Sequence, residues 1–354
     1  MIDSDLILVD EVPSYRRVAL ICDGVLDQIW IDDAEKGEYL PEAIVAVKLN
    51  QHFRQHHRAV ISLGEVKGSL RLPDQHPFKV GDVIPAVITS AARDDGFGAK
   101  PLQLKLAGHI KPAECGGHGD VITPAPSALE KAQAHAPHAK IIEDADLSYW
   151  HEFGVEEALE EALAPQLDLK EGGRIAISTP PGAAVIDGDS GPSQLAPFAL
   201  AQHMITPVMR QLRLRRIGGP IVIDFPRLNP AEAKIIHQSM QAEAKKDNAK
   251  PALHGFTRGG LYTMARPWRG QMLADEKLDP SRALGLEVLR QIRRHLHLVK
   301  NAKAAGGLTL RLNSIGLDWI KGEGALLFDE MMKPASFQVD FVVDDDILNV
   351  IEES

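Results

Sequence analysis

The sequence is poor in cysteine and has no long hydrophobic run, which argues against a disulfide-stabilised protein and against a membrane-spanning one. Only Cys22 and Cys115 occur in 354 residues, so no disulfide framework is indicated. Cys115 lies near His118, but a structural zinc site takes four ligands and no second pair is evident, so we expect no zinc. No apolar run approaches the length that crosses a bilayer, and the first residues carry no basic stretch ahead of a hydrophobic one. We therefore expect a cytoplasmic protein with no membrane partner.

Positive charge is also in deficit. The formal net charge is −10, the wrong sign for a protein that binds nucleic acid through a uniformly basic surface. The basic residues are nevertheless clustered, and each cluster alone is more typical of a solvated helix or strand face. Taken together, the clusters do not exclude an RNA partner. The clusters are Arg210, Arg213, Arg215 and Arg216; Arg290, Arg293, Arg294, His295 and His297; and His52, Arg54, His56, His57 and Arg58.

Short strands and turns dominate the first third of the chain. With 354 residues, of which 44% are hydrophobic, the chain is long enough for two domains. Residues 17–32 predict a β-hairpin around Asp23-Gly24, a pair that favours a tight turn. Residues 40–108 alternate short strands with turns, which is typical of a small five-stranded barrel. Residues 109–140 are rich in Pro, Gly, His and Ala and predict mostly a loop or linker.

After residue 140 the pattern becomes mixed α and β. Asn229, Pro230 and Glu232 form a strong helix start, with a cap, a proline in the first position and a capping-box glutamate. Gly218-Gly219 ends the preceding helix, because glycine accepts the left-handed conformation there. Predicted helices cover 153–164, 194–216, 230–246 and 281–300, predicted strands cover 174–178, 183–187 and 221–225, and the segments from 308 onwards predict a small α/β end-piece.

Two of the predicted strands end in aspartate. One strand ends at Asp187, with Asp189 just behind it, and the other ends at Asp224. Mg²⁺ prefers oxygen ligands and usually takes one or two carboxylates, so two such strands could hold one ion between them. The alternative is that both aspartates only end their strands and begin turns. The pattern makes metal-assisted phosphate chemistry the first hypothesis.

Three motifs, in one order, resemble the catalytic core of the ribonuclease E / ribonuclease G family. They are ID-x-D-S-G at 186–191, RQLRLRRIGGPIVIDF at 210–225 and TRGGLYTMAR at 257–266. The second agrees with the family's pattern almost without interruption over its whole length. Flanking segments at 148–173 and 93–108 are similar as well, so the resemblance covers most of 17–300.

The resemblance implies an α+β fold. That fold has a mixed-sheet nuclease core with RNase H-like and DNase I-like subdomains, an inserted S1-like (OB) β-barrel and a small C-terminal α/β piece. The implied domains are N-terminal strands that join the core (1–38), the barrel (39–108), a linker in place of the family's 5′-sensor (109–140), the catalytic core (141–275) and a C-terminal helix with a small α/β domain (276–354).

The resemblance also implies site residues. Asp187 and Asp224 match the family's two Mg²⁺-coordinating aspartates, and Asp189 stands where the family has an asparagine that acts beside them. This extra carboxylate either retains Mg²⁺ or shifts the preference towards Mn²⁺. Arginine suits phosphate binding because its planar guanidinium pairs two oxygens at once, although any such residue could instead make an ordinary surface contact. The candidate RNA contacts are Arg258, Arg266, His254 and Lys100.

The sequence departs from the family's pattern in three places. Where the family's barrel presents aromatic rings, this chain has Ile61 and Ser69, so we expect the base-stacking platform to be missing. The segment that senses a 5′-monophosphate is replaced by 109–140, so no preference for such ends is expected. The cysteine motif that links two subunits through zinc is absent from 267–281, so a homodimer would use the apolar surface of the C-terminal part instead.

The sequence therefore predicts a metal-dependent endoribonuclease that cleaves single-stranded RNA in RNA processing or decay, with Mg²⁺, or Mn²⁺, as its cofactor. A second hypothesis is an RNA-binding protein that keeps the fold but has lost efficient cleavage. A third is a different phosphodiesterase or phosphatase that uses the same carboxylates. The presence of both Asp187 and Asp224 argues against simple loss of the site, because converging negative charges in an idle site only repel each other.

Overall fold

The computed structural model describes residues 5–73, 75–94, 99–192, 194–268, 270–276, 278–301 and 307–353. Over these ranges, every helix is either too short or too polar to span a bilayer. The chain forms two compact units. Unit 1 comprises residues 1–35, 127–158 and 276–354, and unit 2 comprises residues 36–126 and 159–275.

Strands and helices are numbered in chain order. The strands of the first part are β1 (Leu6–Val12), β2 (Tyr15–Cys22), β3 (Val25–Asp33), β4 (Ile44–Phe53), β5 (Arg58–Leu63), β6 (Val66–Arg71), β7 (Val83–Ser90), β8 (Arg93–Asp94), β9 (Ala99–Lys100), β10 (Leu102–Leu106) and β11 (Val121–Thr123). They are followed by β12 (Lys140–Glu143), β13 (Gln166–Asp168), β14 (Arg174–Ser178), β15 (Ala184–Asp189), β16 (Gly219–Asp224), β17 (Ala252–Phe256), β18 (Tyr262–Arg266), β19 (Leu308–Leu312), β20 (Val339–Val343) and β21 (Ile351–Glu353). The α-helices are α1 (Ala128–His135), α2 (Ser148–Glu152), α3 (Val155–Leu163), α4 (Pro197–Leu214), α5 (Pro230–Ala244), α6 (Pro280–Lys300), α7 (Ser314–Lys321) and α8 (Ala325–Met332).

Unit 1 contains a four-stranded sheet in the order β12-β1-β2-β3. The hairpin predicted around Asp23-Gly24 is confirmed, and both turn residues have positive φ, as a tight turn requires. Helix α1 packs Ala128 and Ala132 against the buried faces of β1 and β2. The end-piece predicted from 308 onwards is also confirmed: α7 and α8 accompany a three-stranded sheet in the order β20-β19-β21, and α6 packs on β19.

A cluster of charged side chains is buried in unit 1. Asp10 is 1% exposed and accepts hydrogen bonds from Arg17 at 2.7 Å, Arg290 at 2.9 Å and Arg293 at 2.6 Å. Burial alone would raise the pKa of Asp10, but the three positive charges outweigh it and lower the pKa to about 2. The cluster fixes β1 to β2 and to α6.

The first part of unit 2 is a closed five-stranded barrel, as residues 40–108 predicted. Its strands follow the order β4-β5-β6-β10-β7, and pairing of β4 with β7 closes it. Ile61, which the sequence analysis matched with Ser69 to the positions of the family's aromatic rings, is 0% exposed and lies in the barrel core. The residue opposite Ser69 is Val60. The prediction for Ile61 is therefore wrong by one residue, because side chains alternate between the two faces of a strand. Neither Val60 nor Ser69 is aromatic.

Residues 109–140 contain more regular structure than the predicted loop or linker. Strand β11 pairs with β4 of the barrel in unit 2. Helix α1 begins at a capping box, in which Ser127 and Glu130 each accept from the other's backbone N–H. The alanines that we attributed to a loop are the residues that let this helix pack closely. The sequence prediction thus missed β11 and α1, although most of the segment lies outside strands and α-helices, as predicted.

The second part of unit 2 is a six-stranded mixed sheet in the order β13-β14-β15-β16-β18-β17. Helices α4 and α5 cover one face, where Ile186, Ile223 and Met264 of the strands join the buried core with Met204 and Met240 of the helices. The opposite face carries the alternate residues of the same strands, many of them exposed. The α+β class predicted from the sequence is confirmed, as are the helices predicted at 194–216 and 230–246.

Candidate catalytic site at the edge of the six-stranded sheet

The structure brings Asp187 and Asp224 together. Strands β15 and β16 are parallel neighbours, and their register pairs Asp187 directly with Asp224. Neighbouring strands lie about 4.8 Å apart, and paired residues point to the same face. Both carboxylates are exposed, whereas the preceding Ile186 and Ile223 are buried against the helices. The two side chains therefore share the open face of the sheet at its carboxyl edge.

Gly188 explains how the strand end stays close to helix α4. A Cβ atom built on Gly188 would lie 2.3 Å from both Cε and Sδ of Met204. Met204 is fully buried, so a larger residue at 188 would have to displace it or move the strand. The glycine thus sets the position of the aspartates on either side of it.

An aromatic cluster supports the end of β16 from the helix-covered face. Phe225 directly follows Asp224, and its ring meets Tyr262 edge-on at 5.9 Å, while Phe256 meets Tyr262 at 5.0 Å. The Tyr262 hydroxyl lies 3.0 Å from Nδ1 of His237. Burial raises the pKa of Tyr262 to about 12, so the hydroxyl stays neutral. This packing holds the backbone that presents Asp224.

Asp189 is already engaged by its neighbours. Its Oδ2 accepts from Nε and Nη2 of Arg174 at 3.1 and 2.8 Å, and its Oδ1 accepts from the backbone N–H of Gly191 at 2.9 Å. The Gly191 hydrogen bond and the Arg174 contact lower the pKa of Asp189. The hydrogen bond with Asp189 in turn raises the pKa of Arg174. The extra negative charge at this position is therefore matched by a positive charge on the adjacent strand.

Arg174 is a site residue that our sequence analysis missed. The predicted hairpin contained the signal, because the turn at 179–183 pairs β14 with β15 so that Ser178 faces Val185. Counting outward from that pair places Arg174 opposite Asp189, as the structure shows. A cross-strand pair of opposite charges could therefore have been predicted once the hairpin was drawn.

Two of the candidate RNA contacts lie in the β17–β18 hairpin. Because β18 runs antiparallel to β16, with Tyr262 opposite Ile223, the turn before Tyr262 lies at the edge where Asp224 ends β16. Arg258 is exposed within this turn, which is closed by hydrogen bonds between Thr257 and the residues after it. His254 is exposed further along β17, at an irregularity in the pairing.

Neither of the other two candidates lies at this edge of the sheet in its strand pairing. Arg266 is 4% exposed, and its guanidinium donates to both oxygens of Asp247, at 2.7 and 3.2 Å, and to the carbonyl of Ile217 at 2.8 Å. Its donors are thus used inside the protein. Lys100 is exposed, but it belongs to the two-stranded β8–β9 ribbon and not to the six-stranded sheet.

The donor set at the sheet edge fits a divalent cation of the Mg²⁺ type. Within the described residues, no group of three or more His, Cys, Asp and Glu side chains is arranged to hold a metal. Mg²⁺ does not need such a group, since it keeps several waters and is often bound through one or two carboxylates. Asp187 and Asp224 supply two carboxylates side by side, and two like charges directly opposite each other are unfavourable without a cation.

Comparison with known proteins confirms the resemblance that the motifs suggested. Residues 122–269 match the model of the Ribonuclease E/G family. Ribonuclease E of Nostoc sp. is 31% identical over 142 residues, which cover 38% of this chain and 20% of the relative. Ribonuclease G of Escherichia coli K12 is 30% identical over 122 residues, covering 32% of this chain and 25% of the relative. Ribonuclease G of Haemophilus influenzae is 28% identical over 165 residues, covering 41% and 34%. The chain thus matches between a fifth and a third of the length of these relatives.

Proposed function

We propose that this protein is an endoribonuclease that cuts single-stranded RNA internally, with a divalent cation held by Asp187 and Asp224. The observation that carries the proposal is the register pairing of these two aspartates on the open face of the sheet. It is supported by the match of residues 122–269 to a ribonuclease family and by relatives named ribonuclease E and ribonuclease G.

In this proposal the chain's own residues bind and orient the RNA strand. A bound Mg²⁺ would supply an acidified water and would screen negative charge on the phosphodiester oxygens. Arg258, at the same edge of the sheet, pairs with a phosphate of the strand through its planar guanidinium. His254 on β17 contacts the neighbouring part of the RNA backbone. Arg266 leaves the RNA-binding set, because its donors face Asp247 and Ile217.

Asp189 acts in this proposal as a positioning residue and not as a direct ligand. Both of its oxygens are engaged, by Arg174 and by the Gly191 amide. Because Arg174 offsets its charge, the edge keeps two uncompensated carboxylates, as it would with an uncharged asparagine at 189. We therefore expect Mg²⁺ to be retained and no marked shift towards Mn²⁺.

We assign the finer parts of the fold by the same resemblance. The barrel is S1-like, and the sheets correspond to the RNase H-like and DNase I-like parts of a nuclease core. The segment 109–140 lies where the family has its 5′-sensor. Its strand β11 pairs with the barrel, and its helix α1 packs on the sheet of unit 1. We therefore propose cleavage without a preference for 5′-monophosphate ends. A homodimer through the C-terminal part, without zinc, stays a prediction for light scattering.

The experiment is cleavage of an end-labelled, A/U-rich single-stranded RNA with Mg²⁺. We expect internal cuts that disappear on chelation, and a rate at least about 100-fold lower in Asp187→Asn and Asp224→Asn, since each removes one of two cation ligands. Asp23→Asn in the exposed hairpin of unit 1 is the matched control and should leave the rate unchanged. A 5′-triphosphate and a 5′-monophosphate substrate should be cut at similar rates.

A second candidate is an RNA-binding protein with the same fold and no efficient cleavage. The observation that favours it is that, among the described residues, no group of three or more His, Cys, Asp and Glu side chains is arranged to hold a metal. The same assay decides between them. RNA that is bound but uncut by the wild type, or cut equally by wild type and Asp224→Asn, would favour the second candidate and refute the first.

A further inference from the structure

The barrel carries a groove that the proposed cleavage site does not use. It has a volume of about 660 Å³ and lies where β4 ends, beside the 3-10 turn Arg54–His56 and the segment before β7. That segment is held against β4 by hydrogen bonds from the Gly81 amide to the Leu49 carbonyl and from the Leu49 amide to the Asp82 carbonyl. The lining includes Asn50, Gln51, Phe53, Arg54, Lys79 and Val80.

Aromatic and apolar groups are exposed along the groove. Phe53 is 41% exposed and Val80 is 65% exposed, and both line the groove. Beside them, the rings of His52 and His76 meet at 4.6 Å, and His76 stacks on Phe78 at 5.8 Å with an angle of 19° between the planes. The groove therefore presents one exposed ring next to a rigid, packed set of rings.

The charge of the groove is opposite to that of the chain as a whole. Arg54 and Lys79 are both exposed in its lining, together with His56, and none of the described residues that line it is acidic. The full chain has 49 acidic and 39 basic residues, so a lining without acidic side chains is a local departure, although Asp82, just outside the lining, accepts a hydrogen bond from the Lys79 amide at 2.7 Å. Such a surface is complementary to an anion.

We propose that this groove binds one or two nucleotides of single-stranded RNA. The base would stack on Phe53, and the phosphates would pair with Arg54 and Lys79, while Asn50 and Gln51 offer amides to the base edges. Free phosphate has no use for the rings, and an apolar peptide has no use for the cations, whereas a nucleotide uses both. The groove would replace the stacking surface that Val60 and Ser69 do not provide. This inference rests on the proposed action on RNA.

The test is equilibrium binding of a fluorescein-labelled 12-nucleotide oligouridylate to the full chain, measured by fluorescence anisotropy in EDTA so that no cutting occurs. We expect Phe53→Ala to weaken binding at least about fivefold, and Phe53→Tyr to retain it, because a tyrosine ring also stacks. The double variant Arg54→Ala/Lys79→Ala should reduce the slope of log K against log salt by about 1.4, or about 0.7 for each lost phosphate contact. Lys245→Ala, an exposed cation at the end of α5, is the control and should change neither quantity.

The outcomes separate this inference from the proposed function. If Phe53→Ala and the double variant bind the oligonucleotide as tightly as the wild type, with circular dichroism showing a folded barrel, the groove proposal is overturned even where the protein cuts RNA. If Phe53→Ala loses affinity while Phe53→Tyr keeps it, the proposal is supported even where the wild type binds RNA without cutting it. Equal weakening by Phe53→Tyr and Phe53→Ala would show that packing is lost and not stacking, and would also overturn it.

Discussion

Comparing Arg266 with Arg258 tests most directly which arginine of this motif stabilises the fold and which contacts RNA. The motif at 257–266 suggested a phosphate contact, but the structure buries the guanidinium against Asp247 and the Ile217 carbonyl. We therefore predict that Arg266→Met mainly destabilises the sheet of unit 2, whereas Arg258→Met, in the exposed turn, leaves stability within about 0.5 kcal/mol and weakens RNA binding.

The magnitude follows from the burial of the pair. The side chains of Arg266 and Asp247 are 4% and 2% exposed, so Arg266→Met leaves an unpaired carboxylate inside the protein. Removing one partner of a buried ion pair costs about 3–5 kcal/mol. Neutralising the stranded carboxylate as well, in Arg266→Met/Asp247→Asn, should recover part of that loss, because the remaining amide is cheaper to bury than a charge.

The assay is hydrogen exchange followed by mass spectrometry, which reports local opening in a chain of two units. Peptides that cover 217–225 and 262–266 should exchange at least about 100-fold faster in Arg266→Met, since 3 kcal/mol corresponds to roughly that factor in the opening equilibrium. The same peptides should be unchanged in Arg258→Met. Unchanged exchange in Arg266→Met, together with weaker RNA binding, would refute the structural role and restore Arg266 as an RNA contact.

Two further predictions concern acid stability and packing. The pKa of Asp10 lies at about 2, below its ordinary 3.8, so its contribution to the free energy of unfolding is present above pH 4 and is lost as the pH falls towards 2. Urea titrations of Asp10→Asn should therefore show a loss of stability of about 3 kcal/mol at pH 7, and this loss should shrink over the same pH range. A loss that does not depend on pH would contradict the role of the three arginines. Gly188→Ala should lower the free energy of unfolding, measured by thermal unfolding, by about 1–3 kcal/mol because of the clash with Met204. Gly259→Ala is the control, because the nearest atom to its added Cβ is 3.8 Å away, and it should lower that free energy by less than about 0.5 kcal/mol. Equal losses would show that Met204 moves aside freely.

The fold was predicted well where one local signal decides the structure. The Asn229 cap with Pro230 and Glu232 places the start of α5 to the residue, because three independent preferences agree there. The strands of the barrel follow from alternation and turns. Composition alone missed helix α1 within 109–140, since alanine, which we counted with the loop residues, is also the best helix former, and the Ser127 capping box carried the correct signal.

Side-chain direction was harder to predict than strand position. The strand that contains Ile61 was located, but which residues face outward depends on a register that a shift of one residue inverts. Arg266 illustrates a related difficulty: its motif places it on β18, but only the approach of Asp247, from the loop after α5, shows the buried ion pair that it forms. Contacts between distant parts of the chain are not encoded in a motif.

The charges at the sheet edge form a balance that an idle site has no reason to keep. Asp187 and Asp224 together carry two negative charges, and the pair of Asp189 with Arg174 adds none. A divalent cation would balance the charges of these two carboxylates, whereas Asp189 without Arg174 would add a third negative charge. Drift in an unused site would remove one of the facing aspartates first, because their repulsion is relieved by any neutral residue. Here Asp189 is accompanied by its cross-strand neighbour Arg174, which offsets its charge, as the proposed site for one divalent cation requires.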